Sequence, residues 1–171
     1  MSPNLLQILF KMLVDFESLP DESRIWIYQC NRSFSPAELE EVTNGLNAFL
    51  AQWIAHGSDL KAGFEIKYNR FIIIGLDQAQ ASASGCSIDA SVHYIQSLEK
   101  KYNVDLLDKM NVSYKQGAYV AYKDLKDFKR MAKERAVSKN TIVFNNLVAT
   151  KQDYMENWEV PASESWHSRF M

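Results

Sequence analysis

The residues best suited by type and spacing to do chemistry lie between Asp77 and Asp89, around the string Ala83-Ser84-Gly85-Cys86-Ser87-Ile88-Asp89. A Ser-, Ala- and Gly-rich loop that leaves an apolar strand and opens a helix presents backbone N–H groups, and the helix dipole adds partial positive charge. That combination holds an anion. It also lowers a thiol pKa, which makes Cys86 the nucleophile candidate. A cysteine enzyme needs a base as well. His93 falls on the same helical face as Cys86 and Asp89, but seven residues of helix rise is about 10 Å, far beyond the roughly 3 Å a nucleophile and its base require. His56, before Gly57 at a helix end, is the histidine carried with Cys86, although that position equally suits a cation on a helix dipole. Asp89 likewise suits a first-turn helix stabiliser. The loop supplies donors while the base is missing, so these residues favour binding a small anionic ligand over covalent catalysis. Asp77, Ser84, Gly85, Cys86, Ser87 and Asp89 would surround it.

Other chemistries find less support. The three His and two Cys never fall at i, i+3 or i, i+4, so no half-site for a metal is present, and no motif names a cofactor. Between residues 100 and 139 stand eleven Lys/Arg against five Asp/Glu, a net of +6, which leaves −8 on the rest of a chain of net charge −2. Lys126, Lys129, Arg130 and Lys133 share one helical stripe there, and Tyr114, Tyr119 and Tyr122 precede it. A cationic helix beside aromatic strands is the arrangement that holds single-stranded nucleic acid by phosphate contact and stacking. Asp124, Asp127 and Glu134 dilute it, and nucleic acid ranks behind a small anion as the expected partner. The two charge poles leave open a homo-oligomer that pairs them.

These groups must be positioned by a chain of 171 residues with 47% hydrophobic and 23% charged residues, enough to build one core without disulfides. Two distant cysteines, Cys30 and Cys86, fit a reduced, cytoplasmic protein. The apolar run from Leu5 to Val14 contains Gln7 and Lys11, has no basic residue before it and is too short to cross a membrane. Residues 25–28 read as a strand. Ser35, Pro36 and Glu38 form a capping box with Pro at the first helical position, and Phe34 with Leu39 forms a hydrophobic staple. Helical spacing then runs from Leu39 to Ile54. Residues 64–68 and 71–76 read as strands, 88–102 as a helix, 111–115 and 118–122 as a hairpin, 124–136 as a basic helix and 141–144 as a strand. Thr150 and Asp153 cap a helix that Pro161 ends, within a helical tail over 150–171 whose Trp158, Trp166 and Phe170 are expected to dock on the domain. The order β-α-β-β-α-β matches the ferredoxin-like split βαβ plan, extended by a further β-α-β, within a single α+β domain.

Several strings together resemble a family of short bacterial proteins often labelled "ABC transporter ATPase". They are Ser23-Arg24-Ile25-Trp26-Ile27-Tyr28-Gln29, Ala55-His56-Gly57, Tyr68-Asn69-Arg70-Phe71, Ser84-Gly85-Cys86-Ser87-Ile88-Asp89 and Asn157-Trp158-Glu159-Val160-Pro161. The resemblance runs from about Leu13 to the end, so it implies that residues 1–11 are an upstream extension. Its label implies a nucleotide-linked role. Yet a P-loop needs a Gly-Lys pair, and none of the six glycines is followed by lysine. Mainly from their place in these strings, Arg24, His56, Asn69 and Arg70 are expected to border the ligand, and Arg32, just beyond the first string, with them.

Overall fold

The structure is a computed structural model that describes residues 13–55, 61–78 and 85–171. Strand β1 (Arg24–Gln29) is followed by α1 (Pro36–Ala55), then by β2 (Lys61–Lys67) and β3 (Phe71–Asp77). Helix α2 (Gly85–Tyr102) leads to the hairpin β4 (Val112–Gln116) and β5 (Tyr119–Lys123). Helix α3 (Leu125–Lys133), strand β6 (Ile142–Phe144), helix α4 (Lys151–Asn157) and strand β7 (Glu159–Pro161) follow. The result is a mixed α+β protein with two antiparallel sheets, ordered β1-β3-β2 and β5-β4-β6-β7. No described helix is long and apolar enough to cross a membrane.

Local chemistry explains where α1 and α4 begin. Ser35 donates its backbone N–H to Glu38 Oε1 at 2.8 Å while Glu38 returns its own N–H to Ser35 Oγ at 3.2 Å, a reciprocal capping box. The Asp153 N–H donates to Thr150 Oγ1 at 3.1 Å in the same way.

The continuously apolar β3 is central in its sheet and buried on both faces. Ile72, Ile74 and Leu76 pack with Val42, Leu46 and Leu50 of α1 and with Ile95 and Leu98 of α2. On the opposite face, Phe71 and Ile73 join Ile25, Ile27, Phe144, Tyr154 and Trp158. A third cluster, with Tyr114, Phe128 and Val143, belongs to the second sheet, and Trp166 and Phe170 pack against it.

Two expectations change here. In the six-element plan the strand after α2 would lie beside β1, but β4 pairs with β5 and β6 instead. The outer edge of β1 is met by a short backbone stretch, with Arg24 bridging Thr150 and Ile25 donating to the Ala149 carbonyl at 2.9 Å. The helix of the tail also stops at Asn157, before Pro161, and two 3-10 turns, Ala162–Glu164 and Trp166–Phe170, close the chain. Glu159–Pro161 form an edge strand on β6, where Val160 is buried and Pro161, which has no N–H to offer, is tolerated.

Gly63 and Gly75 face each other across β2 and β3 and let residues 14–19 cross the sheet closely. A Cβ on Gly63 would stand 2.5 Å from the Val14 carbonyl oxygen, and one on Gly75 would stand 2.6 Å from Leu19 Cδ1. Backbone cannot step aside as a side-chain tip can. Gly63→Ala is therefore expected to destabilise the fold by about 1–3 kcal/mol. Urea unfolding checks this, and a loss below about 0.5 kcal/mol would show that the crossing is not tight.

Candidate functional site

The residues picked from the sequence separate into two groups at opposite ends of β3. Asp77 ends β3, with Arg24 across the sheet near it and Ser87 and Asp89 in the first turns of α2. The Arg24 guanidinium lies 4.5 Å from the Trp26 ring centre. The Ser87 carbonyl accepts from Trp53 Nε1 at 2.7 Å, and Asp89 is exposed. His56 and Ser84 lie outside the described residues, as does the Cys86 side chain, while Gly85 and Cys86 contribute backbone to the start of α2.

Arg32, Asn69 and Arg70 sit at the far end. Seven residues of β3 span roughly 20 Å, so the structure does not bring this group to the Asp77 end. Arg32 forms a two-pronged ion pair with Glu38 at 2.8 and 2.9 Å, which together with the Ser35 N–H holds the Glu38 carboxyl down at about 2. Arg70 is buried and donates to the carbonyls of Val120 at 2.6 Å and Cys30 at 3.4 Å, tying the two sheets together. Burial pushes the Cys30 thiol up. In the basic segment, Tyr114 is buried and the Tyr122 hydroxyl accepts from Asn111, so Tyr119 is the most open ring of the three. Arg130 pairs with Asp127 at 3.0 Å, and Lys129 covers the Phe170 ring. Among the described residues no group of His, Cys, Asp and Glu is arranged to hold a metal.

What sequence reasoning missed is a cleft of about 410 Å³ between the β2–β3 turn and α4. Its size lies in the range of small-molecule pockets, roughly 300–1,000 Å³. Phe16 and Glu17, from the segment seated on the paired glycines, form one side; Glu65, Lys67 and Tyr68 of the hairpin form another. Lys151, Tyr154 and Met155 of α4, with Trp158 and Glu159 beyond it, complete the lining.

The polar groups in this cleft are held in place before anything binds. Tyr154 donates its hydroxyl to Glu65 Oε1 at 2.5 Å, and Lys67 Nζ stands 4.0 Å from the other oxygen of that carboxylate. Tyr68 donates to Glu159 Oε2 at 2.6 Å, and Lys115 pairs with Glu159 Oε1. Each carboxylate thus holds one phenol and one ammonium. Burial, and then the adjacent carboxylate, raises the pKa of both Tyr154 and Tyr68, so both stay hydroxyl donors at neutral pH.

Tyr68 reaches this position through unusual backbone. It and Asn69 have φ of 53° and 56°, the left-handed geometry of a primed hairpin turn, closed by the Arg70 N–H on the Lys67 carbonyl at 3.0 Å. Asparagine tolerates that region; for tyrosine it costs about 1–2 kcal/mol. The ring is held by Phe144 at 5.4 Å and Phe71 and Trp158 at 6.3 Å, with the Lys115 ammonium 5.1 Å from its centre. The strings 68–71 and 157–161, far apart in the chain, meet at this point.

No protein-family model, curated protein or solved structure matches this chain. The geometry of the cleft is therefore the starting point for its function.

Proposed function

We propose that this protein binds a small organic molecule in the cleft between the β2–β3 turn and α4. The observation that carries this reading is the strained Tyr68, held in a left-handed conformation at the wall of a cavity whose phenols and carboxylates are already ordered. Strain concentrates where a fixed side-chain position matters to function. Aromatic walls from Phe16, Tyr154 and Trp158 would take the apolar body of a ligand, and the ordered polar groups would orient it. The order β1-β3-β2 supports regarding β1, α1, β2 and β3 as a ferredoxin-like split βαβ half that presents the site at its hairpin turn.

The test is ligand-observed NMR of the full chain against a panel of small aromatic and heterocyclic molecules, with Mg-ATP included. Met155 lines the lip and is 68% exposed, so Met155→Trp is expected to fill the opening while changing stability by less than about 0.5 kcal/mol. Panel members should bind the native chain and lose at least tenfold in affinity on this variant. Binding that the variant leaves untouched would overturn the cleft as the site. Mg-ATP binding that persists in the variant would favour the nucleotide-linked role implied by the family resemblance.

A further inference from the structure

We infer that the cleft recognises a carboxylate-bearing aromatic molecule, with Lys151 as the anchor; this rests on the reading of the cleft as a ligand site. Lys151 lines the cavity yet is only 8% exposed. Its ammonium donates to two backbone carbonyls, those of Glu17 and Leu19, each at 2.7 Å. It also lies 5.9 Å from the Phe16 ring centre. An ammonium has three N–H donors, so one remains for an occupant of the cleft. A buried cation is also stabilised best by a counter-charge, and among the described residues no carboxylate lies within ion-pair distance of Lys151.

The neighbouring acids do not supply that counter-charge. Glu65 is engaged by Tyr154 and Lys67, and Glu159 by Tyr68 and Lys115. Glu17 gives its backbone oxygen to Lys151, while the residue as a whole is exposed, where water and salt screen its charge. The group left needing a partner is the Lys151 ammonium. A ligand carboxylate would accept the third N–H and neutralise the charge, and its ring would lie against the aromatic wall of Tyr154, Trp158 and Phe16. Glu65 and Glu159, held by their own lysines and phenols, would stay in place around it.

Three probes of one shape separate the outcomes: benzoate, benzamide and benzylamine, titrated against the full chain by NMR at low salt. Benzoate is expected to bind at least tenfold more tightly than benzamide, with benzylamine weakest. Lys151→Met should erase the benzoate preference, and Lys151→Arg should keep part of it. The preference in the native chain needs no variant, so it stands as a test even if Lys151→Met unfolds. If benzamide or benzylamine binds as tightly as benzoate, and Met155→Trp blocks that binding, the carboxylate inference falls while the cleft survives. If none of the three binds, the inference falls as well. Benzoate bound with undiminished preference by a folded Lys151→Met chain would also overturn it.

Discussion

Trp158→Ala should lower the stability of this protein by about 4 kcal/mol, the middle of the range for emptying a buried aromatic site. In a chain of this length that corresponds to a fall in Tm of roughly 10–15 °C. Trp158 is 5% exposed and has ring neighbours Phe144 at 4.9 Å, and Tyr154 and Phe71 at 5.0 Å. These rings come from β6, α4 and β3, so the cavity would open where the two sheets and the short helix meet. Its indole N–H also starts a polar chain. It donates to Asn146 Oδ1 at 2.9 Å, and Asn146 donates in turn to Gln29 Oε1 at 2.9 Å. Gln29 accepts from Ser113 Oγ at 2.8 Å and donates to the Asn111 carbonyl at 2.7 Å. Trp158→Phe keeps most of the ring packing and removes the N–H, so it should cost about 1–2 kcal/mol, the penalty for leaving the Asn146 oxygen unpartnered. Urea unfolding of the three proteins measures both losses. A loss below about 1.5 kcal/mol for the alanine variant would mean that the cluster closes over the gap and is not the rigid joint described here.

The second large effect is acid destabilisation through His167. Burial holds its pKa down at about 4, against 6.5 for an ordinary histidine. The ring stacks on Trp166 at 3.9 Å, meets Phe128 edge-on at 5.8 Å and shares a 2.6 Å hydrogen bond between Nδ1 and Ser165 Oγ. Nε2 has no hydrogen-bond partner among the described residues. The native state therefore resists protonation that the unfolded chain accepts. Above pH 6.5 both states are neutral at this site and the full stability is present. Between pH 6.5 and about 4 the unfolded chain binds the proton and the native chain does not, so stability falls by about 1.4 kcal/mol per pH unit. The accumulated loss is about 3 kcal/mol by pH 4, after which this contribution levels off. His167→Phe should remove that slope, because phenylalanine has nothing to titrate between the two aromatic neighbours. The comparison is urea unfolding of both proteins at half-unit steps from pH 7.5 to 4. Equal slopes between pH 6.5 and 4.5 would show that His167 is protonated in the native state. Glu38 acts in a lower window: its depressed pKa contributes stability that is present above about pH 4.5 and fades toward pH 2.

Much of the candidate site lay in plain view without being recognisable. Tyr68, Trp158 and Glu159 stand in strings singled out in the sequence, but as ordinary residues in a turn and a tail they carried no chemical signal of their own. Strands over 64–68 and 71–76 leave residues 69–70 for the turn, yet it falls at Tyr68-Asn69, where a tyrosine at a left-handed position runs against local preference. Lys151 opens a short helix and carries no chemical signal in the sequence. Its burial depends on Glu17 and Leu19, more than 130 positions earlier in the chain, placing two carbonyls over it.

The features that sequence alone determined are those whose partners lie within a few residues. The Ser35–Glu38 capping box, the Thr150 cap, the apolar stripe of α1 and the β4–β5 hairpin each form from contacts local in the chain, so residue type and spacing suffice to specify them. Tertiary structure decided which strands share a sheet, that β4 joins β6 and not β1, and that Phe16, Glu65, Tyr68, Lys151 and Trp158 enclose one cavity. Those outcomes depend on burying several apolar faces at once. Hydrophobic burial is non-directional, so a strand's pattern says that it needs cover, and only the packing of the whole chain settles what covers it.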